Sequence, residues 1–313
     1  MTQPANRTVV ISLDAELSWG FHDHKSPPTQ RIERARDSWH YLLALFEAHD
    51  IPTTWAIVGH LFLDACDGSH ADHPAGAEWF NRDPGGEHAP ESRWFGGDLV
   101  RAVRDSAVDH DIGSHTFSHV EFGKRETGAA VAEVELTLSL AAADGYGIDL
   151  DSFVFPRNNI GHRALLRDNG FSNYRGHAPK RWYDGTRIRR AGKLATFATG
   201  TTGPPIVDPE IDEYGLVNIP ASLYLFTFEG SARDAVERVA RDPVVRQVER
   251  GLERLRDRNH GVFHLWLHPN NVTTDRDRRR LDQVVSAIAE YRDRYGIDVD
   301  TMSGVAATER ADG

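Results

Sequence analysis

The chain has 313 residues, 40% hydrophobic and 27% charged, with a formal net charge of −11. It is long enough to bury a full core as one α/β domain and too apolar to stay disordered. The acidic balance excludes a nucleic-acid surface and electrostatic docking on anionic lipid, both of which need basic patches.

The start, "MTQPANRTVVISLD", has neither the basic opening nor the apolar stretch of a signal peptide, and no run of 18 apolar residues follows. The expectation is a cytoplasmic protein with no membrane insertion. "RTVVISLD" (7–14) reads as a buried strand entering a polar loop, and "RIERARDSWHYLLALFEAHD" (31–50) as an amphipathic helix. "PTTWAIVG" (52–59) is strand-like. Cys66, the single cysteine, excludes an internal disulfide and any multi-cysteine zinc site, and reads as a small buried hydrophobe. Residues 96–110 are helical, 111–115 a short strand, and 126–145 a long helix stopped by glycine. A strand at 152–156, a helix at 162–170 and strands at 171–176 and 216–222 follow. The series ends with a helix at 234–258, a strand at 261–269, a helix at 275–296 and a last strand at 297–302.

Strands alternating with helices predict parallel βαβ units. About seven strands with no reversal point predict a barrel-like closure in a single domain over 1–313. Two long irregular segments, 67–95 and 176–215, interrupt the alternation, and loops of that length tend to be functional. "ATGTTGPP" (197–205) lacks the spacing and lysine of a phosphate loop and reads as a plain loop.

In parallel α/β architectures ligand groups gather where strands end. Four polar clusters sit at predicted strand exits: "SLDAELSWG" with Asp14 and Glu16, "GSHTFSH" with His115 and His119, "VFPRNN" with Arg157 and Asn158, and "LWLHPNN" with His268. With 16 histidines, chance supplies roughly one pair four apart; the chain has three, at His115/His119, His260/His264 and His264/His268. Along a strand His264 and His268 would lie about 13 Å apart, too far to share a zinc. His260 is expected at the surface. His115 and His119 lie past a strand end, where one turn brings such side chains together. Two imidazoles plus a carboxylate form a zinc site with a position left for water.

The ordered set "SLDAE", "HTFSH" and "LWLHP" resembles the polysaccharide deacetylases, the NodB-homology or family 4 carbohydrate esterase group, and spans residues 12–269. The resemblance implies a deformed (β/α) barrel of about seven parallel strands. It also implies an Asp-His-His-type site for a divalent metal, usually zinc, that hydrolyses acetamides on sugars. His115 and His119 would then be metal ligands. Asp14 matches the family's catalytic base, and the aspartate that usually follows it is Ala15 here. Members with Asp-x-Glu put the ligand two residues on, which makes Glu16 the third ligand; the reverse assignment of Asp14 and Glu16 stays open. His268 matches the general acid that protonates the leaving amine.

The family's Arg-x-Pro-Tyr motif is replaced by "FVFPRN", with Val154 at the arginine position and Arg157 at the tyrosine position. Arg157 is the candidate to restore the lost charge, with a backbone N–H near it as oxyanion donor. Trp19, Phe21 and Asn158 are candidates for lining a sugar subsite. The implied activity is removal of an acetyl or formyl group from an amino sugar, as a cytoplasmic nucleotide- or lipid-linked precursor. A cyclic-amide hydrolase like the cofactor-independent allantoinases, or a catalytically silent carbohydrate-binding barrel, is the alternative. The sequence carries no signal for oligomeric state.

Overall fold

The computed structural model describes residues 7–89, 92–200, 202–237 and 241–312. In chain order its strands are β1 (Arg7–Ala15), β2 (Thr54–Ile57), β3 (Ala65–Cys66), β4 (Gly86–Glu87), β5 (Asp111–Ser114), β6 (Ser152–Phe153), β7 (Asn173–Gly176), β8 (Glu210–Ile211), β9 (Val217–Pro220), β10 (Leu223–Tyr224), β11 (Gly261–Leu267) and β12 (Asp298–Asp300). Its helices are α1 (Thr29–His49), α2 (Gly97–Arg104), α3 (Ala129–Asp144), α4 (Arg163–Asp168), α5 (Arg189–Thr199), α6 (Gly230–Glu237), α7 (Pro243–Arg256), α8 (Asp275–Tyr295) and α9 (Met302–Asp312).

Ten strands form one sheet in the order β10-β11-β1-β2-β5-β6-β7-β9-β8, with β12 beside β1. All pairs in it are parallel except β8 with β9. The centre is β1. One edge pairs with β11 over Arg7–Leu13, and the other takes β12 at Thr8–Val10 and then β2 at Ser12–Ala15. The sheet curls until its ends meet: Val207 bridges Val262, and the Ser222 N–H donates to the His264 carbonyl at 2.8 Å. This is the deformed barrel the sequence predicts, with ten strands instead of seven. Among the described residues no helix is long and apolar enough to cross a membrane.

Strand alternation sets the faces. Val9, Ile11, Leu13 and Ala15 of β1 join the main core under the helices, whereas Val10 belongs to a second cluster inside the barrel. That inner cluster includes Met302, Val305 and Ala306 of α9. The C-terminal helix therefore plugs the mouth at the strands' N-terminal ends, leaving only the opposite mouth for a ligand.

Three sequence expectations need correction. The strand at 297–302 does not end the series: α9 follows it. The helix expected over 234–258 is two, because Pro243 cannot sit in a helix interior and instead starts α7. The Asp242 side chain caps α7 by accepting from the Val244 N–H at 2.8 Å; residues 238–240 lie outside the described residues. The segment 176–215 is no plain loop, since it holds α5 and β8. "ATGTTGPP" begins as the end of α5, and Thr201 lies outside the described residues.

Candidate active site

Four strand exits meet at the open mouth. Continuing the alternation of β1, Ser12, Asp14 and Glu16 share the inner face. Asp14 and Glu16 are nearly sealed from solvent, at 2% and 4% exposed. The loop after β5 turns back through Thr116 and His119, whose φ values are 61° and 67°. A β-branched residue in the left-handed region is a strained conformation. Here it folds His115 and His119 to a ring separation of 5.1 Å. Ser118 locks the turn: its N–H donates to Glu135 of α3 at 2.8 Å and its hydroxyl to the same carboxylate. Of the eight described non-glycine residues at positive φ, Leu17, Thr116, His119, Arg157 and Asn158 all lie in these exit loops. Backbone strain is thus concentrated around the mouth.

The Glu16 Oε1 atom lies 3.3 Å from His115 Nε2 and 3.2 Å from His119 Nε2. His115 Nδ1 sits 2.7 Å from the Val154 carbonyl, which only accepts. The proton is therefore on Nδ1, and Nε2 keeps its lone pair toward Glu16. These three residues form one group of mutually close ligand atoms; Asp14, Glu16 and His268 form another. A Cβ at position 20 would collide with the Glu16 carboxylate, so only glycine leaves room for it there. Burial pushes the Glu16 carboxyl up, but His268, His115 and His119 hold it well below its ordinary value. Burial pushes the His119 imidazole down, which favours the neutral form a metal needs.

His268 Nε2 is 3.6 Å from both Asp14 Oδ2 and Glu16 Oε1. Its Nδ1 lies 3.1 Å from Asn271 Oδ1, which also accepts from the Tyr224 hydroxyl at 2.7 Å. A pure acceptor behind Nδ1 aims Nε2 into the mouth.

Asp14 has a partner the sequence reading missed. Arg175 of β7 forks onto both carboxylate oxygens, Nη1 to Oδ1 at 2.6 Å and Nη2 to Oδ2 at 2.7 Å. It also reaches Ser12 Oγ and Asn158 Oδ1, each at 3.1 Å, and stacks 4.3 Å from the Trp266 ring. Burial pushes the Asp14 carboxyl up; Arg175 first, then His268 and His115, bring it below its ordinary value. Nothing in "FSNYRG" marks this arginine as special. The usable signal was the strand alternation that turns Asn173 and Arg175 inward.

Arg157 therefore does not replace the missing arginine at Asp14. Its guanidinium binds Asp23 and Glu121 at the rim. Arg157, Asn158 and Phe21 do line the cavity over Asp14 and Glu16, which has a volume of about 240 Å³. Trp19 does not: Leu17, at φ 46°, turns the chain so that Trp19 is fully buried against His60 and Trp94. Tyr224 and Trp266 supply the aromatic wall instead. His264 is buried and bonds Ser12 Oγ at 2.9 Å, and His260 is exposed. Cys66 is not a buried hydrophobe; it is partly exposed, with Sγ 3.3 Å from Asp83 Oδ2.

Tyr224 and Trp266 also border a second cavity of about 480 Å³. Lys180, Arg181, Arg189 and Lys193 line it against a single acid, Asp184. Burial and the charges of Arg189 and Arg181 push the Lys193 amine down. Two of the chain's four lysines are gathered here.

Neither a family model nor a curated protein sequence matches the chain. Solved structures do. A Mycobacterium smegmatis protein described as a polysaccharide deacetylase aligns over 100% of this chain and 93% of its own, with TM-score 0.63 and 14% identity. PuuE allantoinase aligns over 99% and 92%, with TM-score 0.62 and 12% identity. A Pseudomonas aeruginosa PAO1 protein described as a polysaccharide deacetylase aligns over 96% and 89%, with TM-score 0.58 and 12% identity. At such identities what is shared is the fold, and that fold is the NodB-like deformed (β/α) barrel of the polysaccharide deacetylases.

Proposed function

We propose that the chain is a metal-dependent hydrolase that removes an acetyl or formyl group from the nitrogen of an amino sugar carried on a cytoplasmic phosphate-linked precursor. The observation that carries this is the convergence from three distant segments of Asp14, Glu16, His119 and His268 on one cavity, with His115 against Glu16 just beneath it. Glu16, His115 and His119 are the residues that would hold a divalent cation, with zinc the expected one: three buried N/O donors, with the His115 tautomer already set. When bound, the cation supplies Lewis-acid chemistry, acidifying water and polarising the amide carbonyl.

Asp14, fixed in orientation by the Arg175 fork, takes the proton of the attacking water on a remaining carboxylate lone pair. His268 delivers a proton to the leaving nitrogen, because an amide anion is too basic to depart alone. Each such positioned group typically contributes about 10²–10⁴-fold. Burial of Asp14 and Glu16 keeps bulk water from competing for these protons.

The cationic cavity supports a phosphate on the substrate. A gathering of four positive side chains in a chain of net charge −11 is otherwise unfavourable. Trp182, Ile188 and Leu194, exposed on the same segment, favour a lipid-linked phosphate over a nucleotide. A cyclic-amide hydrolase remains the second reading, favoured by the small volume of the cavity over Asp14. A silent carbohydrate-binding barrel has no use for an oriented base and acid. The test is deacylation of polyprenyl-phosphate-linked, nucleotide-linked and free N-acyl amino sugars by zinc-loaded protein, with allantoin alongside. Turnover of allantoin alone would overturn the sugar assignment; no turnover of any, with zinc bound, would overturn the hydrolase.

A further inference from the structure

A second group of metal-type ligands lies outside this site, where the segment 67–95 folds back on the barrel wall. It comprises His60, Cys66, His70 and Asp83, whose ligand atoms all lie within 4.8 Å of one another. Three of them converge on one oxygen: Asp83 Oδ2 is 3.1 Å from His60 Nε2, 2.7 Å from His70 Nε2 and 3.3 Å from Cys66 Sγ. The side chains of His60 and Asp83 are fully buried, and that of His70 is 11% exposed.

The His60 geometry turns an acceptor atom, not a donor, toward the cluster. His60 Nδ1 lies 3.2 Å from the Trp94 carbonyl, so Nδ1 carries the proton and Nε2 presents its lone pair to the cluster. That buried Nε2 makes no hydrogen bond, even though Asp83 is close. A lone pair facing a carboxylate is repulsive unless something positive sits between them. His70 is held by stacking on Phe80 at 4.2 Å, in a left-handed backbone with φ 42°. Strain of that kind persists where the surroundings over-determine a side chain's direction.

We infer that His60, Cys66, His70 and Asp83 form a closed, four-ligand structural zinc site. One thiolate, two imidazoles and one carboxylate are a donor set that suits tetrahedral zinc, and four protein ligands leave no position for substrate. The surrounding segment needs such a clip. Between Cys66 and Phe95 its secondary structure among the described residues is one two-residue pairing, β3 with β4. The site also buttresses the catalytic mouth. The Gly59 and His60 N–H groups donate to the Thr116 and Phe117 carbonyls at 2.8 and 2.9 Å, within the turn that carries His115 and His119. Trp19, three residues after Glu16, packs 4.4 Å from the His60 ring.

Cys66 is the only cysteine, which makes the test specific. The full chain is stripped with chelator and titrated with Co²⁺, and the thiolate-to-cobalt charge-transfer band is followed in the near ultraviolet. The band should appear in the unmutated chain, and should survive and saturate at one equivalent per chain in the His115→Ala/His119→Ala double variant, which lacks the catalytic ligands. It should lose at least ten-fold in Co²⁺ affinity in His70→Ala and in Asp83→Ala. Zinc content of the double variant after loading should be one per chain, whatever the fate of the catalytic proposal. No thiolate band in the unmutated chain, a band unaffected by both His70→Ala and Asp83→Ala, or zero zinc in the double variant would each overturn the site.

Discussion

Replacing Arg175 with methionine removes the charge from Asp14 while keeping much of the apolar stem. The guanidinium makes two charge-assisted bonds to the carboxylate, at 2.6 and 2.7 Å, with both side chains almost wholly buried. Breaking a buried pair from one side costs about 3–5 kcal/mol, because the remaining charge is left in a poor solvent. Loss of the Trp266 stacking adds about 1 kcal/mol. Arg175→Met should therefore destabilise the metal-free chain by about 4–6 kcal/mol in urea titration at pH 7. In an Asp14→Asn background the same change should cost at least about 2 kcal/mol less, since no stranded charge remains.

The pH dependence has a definite sign. With Arg175 present, the folded Asp14 pKa lies below its unfolded value of about 3.9. Asp14 then contributes stability above that value, which is lost as pH falls through the folded pKa. Without Arg175, burial pushes the carboxyl above about 3.9, and Asp14 opposes folding at neutral pH. The destabilisation in Arg175→Met should accordingly shrink as pH falls through the raised folded pKa toward about 3.9, and the acidic limb of kcat/KM should move to higher pH. Equal costs in the two backgrounds, within about 0.5 kcal/mol, together with an unmoved acidic limb, would refute Arg175 as the group that orients the base.

His268→Ala should cost about 10²–10⁴-fold in kcat on an N-acetyl amino sugar but under about ten-fold on an aryl acetate, whose phenolate leaves without a proton; equal losses on the two substrates would remove the acid role. Lys193→Ala with Arg189→Ala should raise KM at least about ten-fold for a phosphate-linked substrate and leave KM for the free sugar unchanged, read in parallel steady-state assays. His264 and His110 are held neutral in the fold, by burial above all, with pKa values lowered to about 3 and about 4. Unfolding lets each take up a proton below about pH 6.5, so stability is full above that value and falls toward pH 4, by about 2 kcal/mol per histidine between pH 7 and pH 5. Chemical denaturation of His110→Gln should show a shallower slope over that range. Glu16→Ala with Ala15→Asp, which moves the carboxylate one place along β1, should fail to restore metal binding by calorimetry and should cost several kcal/mol in stability.

What the sequence disclosed follows from what is local. The barrel was legible because strands and helices each carry their own period, and the strand exits because polar clusters ended apolar runs. Asp14, Glu16, His115, His119 and His268 come together as a group because each stands at such an exit. Arg175 stayed hidden since its partner is 161 positions away and its only local sign is one arginine in a short strand. The grouping of Cys66 with His60, His70 and Asp83 was equally hidden, because it depends on how an irregular segment folds back. Trp19 misled through proximity: three residues from Glu16 in sequence, it lies beyond a left-handed turn that buries it. Strands β8 and β10, two residues each, are too short to show a period.

That position 15 holds alanine and not a carboxylate follows from where β1 ends. Position 15 is still paired, opposite Ile57 of β2, so the pleat holds there. Its side chain faces outward and is fully buried in the helix-covered core. A carboxylate there would lie among apolar groups with no partner, at a cost of several kcal/mol or with its pKa driven far upward. The next inward position is 16, and a residue there must be longer than aspartate to reach past the strand end to His115 and His119. Glutamate meets that reach, Gly20 leaves the space its carboxylate occupies, and Leu17 begins the turn that frees it. The Asp-x-Glu spacing thus follows from the pleat of β1, which turns positions 14 and 16, and not 15, toward the same cavity.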